Sequence, residues 1–283
     1  MIIDMHVHAF PDKVATKAIE SLESTYAIKC FSDGTIKGLV ASMAESDIDI
    51  AVVQPVSTDP KQVVSINTWA AEISRIGNEA KPQIISFGTI HPKFDGYYDE
   101  IQRIKELGIK GVKFQPSFQH FYPDDSGMMP VYAELIKAGI IIYFHAGDEI
   151  EPADIVYSTP KRLARVLDTL QNEINDYNYR VDDGNIKFVA AHLGGYMMWD
   201  GVEQYLMGRD IFLDISYTLG HIDSAIADRI IKNHGSSRIL FGSDFPFEQQ
   251  HRTFDMVSKL DLAEDDKEMI FSSNAIRLLS LPY

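Results

Sequence analysis

The chain of 283 residues has a single cysteine, Cys30. An intramolecular disulfide is therefore excluded, and the usage fits a reducing compartment. No run approaches eighteen consecutive apolar residues, so a membrane-spanning helix is not expected. The first residues lack a basic segment followed by an apolar one, so a secretory leader is not expected and a cytoplasmic location is. Positive charge is also scarce: 26 Lys and Arg against 41 Asp and Glu leave a formal net charge of −15. That balance argues against nucleic acid as a partner, because phosphates are met by clustered cations. Internal repeats, low-complexity tracts and Gly/Ser linkers are missing as well. With 45% hydrophobic residues the chain can bury a large core, and it reads as one domain over 1–283 with a small molecule as its partner.

What is present is a rhythm of short apolar runs. They fall at 2–7 (IIDMHV), 48–56, 84–90, 111–115 (GVKFQ), 139–147, 186–195, 211–217 and 238–247. Charged segments of helical period lie between them, among them 60–79, 95–107 and 160–174. The 12–47 segment holds two such stretches, separated by CFSDG. Nearly continuous apolar strands alternating with amphipathic helices indicate a parallel sheet covered on both faces. Two α/β architectures fit, a doubly wound open sheet and a (β/α)8 TIM barrel. The polar ends of the runs separate them: His8, Gln54, His91, Gln115, His145 and His192 stand at or near the C-terminal ends of six runs, Ser216 lies in the seventh, and Asp244 stands near the end of the eighth. An open sheet gathers its site at one switch point, whereas a barrel draws it from many strand ends. The spacing predicts a barrel with long connections after its fourth and fifth strands, the usual length of specificity loops.

Alternation along a strand predicts that Asp4, His6 and His8 share one face, directed into the barrel. Two inward imidazoles one residue apart leave lone pairs that a shared cation would satisfy. His145, His192 and Asp244 add further donors at strand exits. Histidines and a carboxylate suit Zn²⁺, with Mn or Fe as alternatives. A divalent ion of this kind lowers the pKa of a bound water from 15.7 toward about 7, and Asp244 could take its proton. His91, at a strand exit, and His120, in an aromatic loop, are candidates for lining the pocket. His221 is a weaker candidate, and His234 reads as a helix C-terminal residue.

The ordered motifs DMHVH, GVKFQP, FHAG, AHLGG and FGSDFPF resemble the amidohydrolase superfamily. The likeness is greatest to its amidohydrolase-2 branch, which includes aminocarboxymuconate-semialdehyde decarboxylase. SSNAIRLLSL resembles that branch's C-terminal helix. The resemblance implies a (β/α)8 barrel with one divalent ion at its C-terminal mouth, held by His6, His8, His145 and Asp244. It places His192 beside the ion as a catalytic partner of Asp244, and implies a homodimer. Lys113, in GVKFQP, is the position of a carboxylated lysine in some members, where it bridges two metals. A second metal is expected only if Lys113 is so modified; unmodified, it would meet a substrate anion.

These residues support a metal-dependent hydrolase attacking an amide, lactone or related carbonyl carbon. The alternative is a non-oxidative decarboxylase of an unsaturated or aromatic carboxylic acid, because the ligand set is common to both. A TatD-like nuclease is disfavoured by Lys113, which stands where those proteins resemble one another in carrying Glu. A non-catalytic metal sensor is disfavoured by His192 beside an open coordination position.

Overall fold

The computed structural model describes residues 1–77, 81–177 and 186–282. Every apolar run contains a strand: β1 (Ile3–Val7), β2 (Ile50–Val53), β3 (Gln83–Ser86) with its continuation β4 (Gly88–Thr89), and β5 (Gly111–Phe114). There follow β6 (Ile141–Phe144), β7 (Phe188–Ala190), β8 (Phe212–Asp214) and β9 (Ile239–Leu240). All pair in parallel, in the order β1-β2-β3 and then β4 to β9. Phe87 N–H donates to Val53 O at 2.9 Å, which makes β3 and β4 one barrel strand interrupted at Phe87. The two outer edges meet. Met5 N–H donates to Phe241 O at 2.9 Å, Asp244 N–H to His6 O at 2.8 Å, and His8 N–H to Phe245 O at 2.6 Å. The result is the (β/α)8 barrel, closed between its first and last strands.

Side-chain alternation sorts the core into two layers. Inside the ring, Ile3, Met5, Val52, Phe87, Ile141, Tyr143, Val189 and Leu240 pack on one another. Their strand neighbours Ala51, Val53, Val112, Phe114, Ile142, Phe144, Phe188 and Leu213 face the helices. Lys113, between Val112 and Phe114, is therefore directed inward. Strand β1 departs from strict alternation. Its register with β2 shifts between Asp4 and Val7, and this bulge corrects the expectation that Asp4 shares a face with both histidines. Met5 joins the barrel interior, while Asp4 accepts from Ser243 Oγ at 2.6 Å and from Gln250 Nε2 at 2.9 Å on the helix side.

The predicted helices are present, two of them after β1, at Asp12–Tyr26 and Ile36–Glu45. Thr35 caps the second by accepting from Gly38 N–H at 3.0 Å, as its position before an apolar stripe requires. The stretch expected to be helical over 60–79 is a 3₁₀ turn at Pro60–Gln62 followed by a helix at Val63–Gly77; positions 78 and 79 lie outside the described residues. The segment 160–174 falls in the helix Pro160–Tyr177. Long connections follow β5 and β6, leading to helices that begin at Met129 and Pro160. No helix among the described residues is long and apolar enough to cross a membrane.

The bottom of the barrel is stoppered by the helix Asn274–Leu279. Its Ala275, Leu278 and Leu279 join the interior cluster, and Asn274 Nδ2 donates to Ser236 O at 2.7 Å and Ile239 O at 2.8 Å. Solvent is thereby kept from the lower end, leaving the C-terminal mouth for function. Leu278→Ala, at a site 3% exposed, should cost about 2–5 kcal/mol in urea denaturation and leave metal affinity intact. An unchanged midpoint would show that the stopper is not packed.

Candidate metal centre and active-site cavity

The closure of the barrel brings the two ends of the chain's chemistry together. His6 lies in β1 and His8 directly follows it, and the backbone hydrogen bond from Asp244 to His6 sets the aspartate against them. Asp244 Oδ1 lies 3.0 Å from His8 Nε2 and 3.4 Å from His6 Nε2. Gly242 makes this approach possible, since a Cβ there would stand 3.0 Å from the Cβ of His6. Asp244 itself adopts φ 68°, a left-handed turn that Asp tolerates better than most residues.

Hydrogen-bond partners assign the imidazole tautomers. His6 Nδ1 lies 2.9 Å from the Asp214 carboxylate, which only accepts, so that nitrogen carries the proton. His8 Nδ1 lies 3.1 Å from Gln54 O, also an acceptor only. In the neutral rings, the lone pairs of His6 Nε2 and His8 Nε2 are then turned on a carboxylate oxygen. Acceptor facing acceptor at 3.0–3.4 Å is repulsive unless a cation or an added proton lies between them. Ligand atoms held about 2.0–2.2 Å from a shared ion stand about this far apart. The three atoms lie within 4.8 Å of one another, and the donor set fits a divalent ion.

A second grouping, His6, His192 and Asp214, is equally compact but suits a supporting role. Asp214 already accepts from Tyr143 OH, Ser216 Oγ, His192 N–H and Ser216 N–H, besides His6. Its oxygens are occupied. Buried at 0% exposure, it orients the His6 ring from behind, as outer carboxylates do at metal sites. Burial alone would raise its pKa, but His6, His192 and Lys113 outweigh that and hold it well below the usual carboxylate range.

His145 lies one step away from the trio. Its Nδ1 is 3.0 Å from His192 Nε2, while its Nε2 is 3.3 Å from both Asp148 O and Glu149 Oε1. His192 Nδ1 faces Ser216 O at 2.9 Å. Both outer nitrogens face acceptors, so the inner pair also needs a proton or a cation between its two lone pairs. Lys113 Nζ lies 3.1 Å from His6 Nε2 and 4.6 Å from the centre of the Tyr143 ring. Burial lowers its pKa to about 8, although Asp214, Asp244 and Glu149 oppose the shift. Burial also lowers His6 and His192 to about 4.

A cavity of about 950 Å³ opens on this cluster and is lined by His6, His8, Lys113, His145, His192 and Asp244. Its walls carry Phe10, Tyr26, Trp69, Phe118, Tyr196, Tyr217 and Phe247. His91 and His120 are not among the lining residues. His91 Nδ1 accepts from Lys93 N–H at 3.1 Å, capping its own turn. His120 is exposed, with its ring 6.3 Å from that of Tyr157. His221 stacks on Tyr217 at 4.7 Å, and His234 ends a helix and bonds Ile211 O. Asp214, Tyr143 and Glu149 were not singled out by the sequence. Asp214 carried one usable signal: a carboxylate inside an apolar run must find buried partners.

Two measurements test this geometry. Asp214→Asn should weaken Mn²⁺ binding by about 10–100-fold in competition titrations with a chromophoric chelator; unchanged affinity would contradict the orienting role. In the metal-free protein, His6 and His192 refuse protons that the unfolded chain accepts below its ordinary pKa of 6.5. Unfolding then binds protons, so stability should fall as pH drops from 6.5 toward 4. A melting temperature that is flat across that window would refute the buried neutral pair.

Solved structures of similar fold cover nearly the whole chain. The 5-carboxyvanillate decarboxylase of Sphingomonas paucimobilis is 15% identical, with 99% of each chain covered and a TM-score of 0.71. The 2,6-dihydroxybenzoate decarboxylase from Rhizobium is 18% identical, covering 99% of this chain and 98% of that one, with a TM-score of 0.64. A dihydroxybenzoic acid decarboxylase from Polaromonas sp. JS666, with bound manganese and the inhibitor 2-nitroresorcinol, is 15% identical. The coverage there is 99% and 97%, and the TM-score 0.69. No curated protein matches the sequence. The family model described as Amidohydrolase matches residues 3–281, and the chain therefore belongs to the amidohydrolase-2 family.

Proposed function

We propose that the protein is a metal-dependent, non-oxidative decarboxylase of an aromatic or unsaturated carboxylic acid. The observation that carries this reading is Lys113: a cation 1% exposed, at the floor of an aromatic-walled cavity, beside the His/Asp cluster. A buried ammonium of this kind is matched to an anionic substrate group, and aromatic walls suit a planar one. The names of the three related structures, all decarboxylases, support the same choice. The hydrolase expectation rests on the same ligands and has no feature of the cavity in its favour.

His6, His8 and Asp244 would hold the ion, with His145 as the additional candidate. Manganese, present in the related Polaromonas structure, is as suitable as zinc for two imidazoles and a carboxylate. When bound, the ion supplies Lewis acidity to a substrate oxygen. Lys113 holds the carboxylate, and the aromatic walls displace water from it, which weakens the solvation that stabilises the charged ground state. The C–CO₂ bond then breaks and its electron pair stays on carbon. A proton drawn from solvent and passed along the His145 Nδ1–His192 Nε2 contact fills the vacated position, and the two rings end the turnover as neutral as they began. Asp214, through His6, keeps the cluster in register.

With Mn²⁺ or Zn²⁺ supplied, the protein should release CO₂ from a panel of hydroxybenzoates, carboxyvanillate-type diacids and unsaturated dicarboxylates. It should leave lactones and anilides untouched. Lys113→Met should lower kcat/KM by about 10²-fold or more, the scale of a lost electrostatic contact. Ring-opened or deacylated products without CO₂ would establish the hydrolase instead.

A further inference from the structure

The helix Asp12–Tyr26 lies over the mouth and not against the barrel wall. The wall position after β1 belongs to the helix Ile36–Glu45, whose Leu39 and Met43 are fully buried in the strand–helix layer. The first helix buries only Ala15, Ile19 and Tyr26. Both its ends are tied at the mouth: its start follows His8 by a few residues, and Tyr26 OH donates to Glu149 Oε2 at 2.7 Å. Glu149 lines the cavity and lies 3.3 Å from His145.

An apolar stripe of this roof helix faces the cavity. Val14, Ala18 and Leu22, four residues apart and so on one face, line the same cavity as Lys113 and Asp244. The stripe spans about 12 Å of helix axis. Ile66 and Trp69 of the helix Val63–Gly77, both half-buried, line the same cavity together with Val56. A volume of about 950 Å³ is at the top of the range of about 300–1,000 Å³ for sites that hold drug-sized ligands. A single-ring acid seated on Lys113 leaves this outer arm free.

We infer that the arm beneath the roof helix is a subsite for an apolar tail, so that the substrate is an amphipathic carboxylic acid. Its carboxyl-bearing ring or double bond lies at Lys113, and its alkyl or aryl substituent runs between Val14, Ala18 and Leu22 on one side and Ile66 and Trp69 on the other. The inference rests on the decarboxylase reading for the chemistry at the head. A tail is favoured over a second copy of the chain because the arm is continuous with the cavity that holds the reactive cluster.

The test uses the Mn²⁺-loaded full chain and two series, 4-alkylbenzoates for binding and 4-alkylsalicylates for turnover, from methyl to octyl. Calorimetric Kd should fall by about threefold or more per methylene until the arm is filled. Ala18→Trp, checked for folding by circular dichroism and thermal melting, should abolish that gain. Replacing Ile66 with Asn on the opposite wall should flatten it without depending on the same helix. Length-dependent Kd without CO₂ from any salicylate would support the subsite and overturn decarboxylation. Evolution of CO₂ with a length-independent Kd would overturn the subsite and leave decarboxylation standing. A length-independent Kd together with a dimer that Ala18→Trp dissociates would assign the stripe to a second copy, again overturning the inference.

Discussion

The seam between β1 and the end of β9 does two things with one set of contacts. Backbone hydrogen bonds from Asp244 to His6 and from His8 to Phe245 close the barrel. The same contacts press the Asp244 carboxylate onto two imidazole nitrogens that already have a carboxylate and a carbonyl behind them. A barrel that failed to close would have no site, because its donors stand more than two hundred residues apart in the chain. Closure is driven by the apolar interior and the stopper helix below. The polar cluster is placed by that packing and is a local concentration of unmet charge within it.

That unmet charge is what makes the mouth reactive. Asp214, Asp244, Lys113, His6 and His192 are nearly or fully buried, where each would be costly alone. At neutral pH His6 and His192 are uncharged, so Asp214 rests on hydrogen bonds from Tyr143, Ser216 and two backbone amides, with Lys113 as the nearby cation. Asp244 has no such set of donors. It faces the His8 lone pair at 3.0 Å and a His6 nitrogen that Lys113 Nζ also approaches at 3.1 Å, and a divalent ion would convert the remaining repulsion into binding. Preorganised dipoles of this kind act on a bound substrate without having to reorganise.

The apolar runs were long enough, and regular enough in their alternation with helices, for the barrel to be legible from sequence, down to the two helices after β1. The cluster was legible where histidines ended strands. Three features were hidden. The bulge in β1 moves Asp4 to the helix side, and a period-two pattern carries no sign of an extra residue. Asp214 ends β8 but lies in the middle of the apolar run 211–217, so a search for polar residues at the ends of the runs passes over it. Glu149 and Tyr26 meet across 123 residues, through a roof helix whose position depends on tertiary packing. His91 and His120 show the reverse error: a strand exit and an aromatic loop looked like pocket lining, but local turn geometry directs one ring to its own backbone and leaves the other in solvent.

The ion's position is the centre of the account, and anomalous diffraction locates it. Crystals grown with Mn²⁺, measured on both sides of the manganese edge, should give one strong peak per chain within bonding distance of His6 Nε2, His8 Nε2 and Asp244. A peak ligated by Asp214, or none beside the β1 histidines at saturating metal, would contradict it.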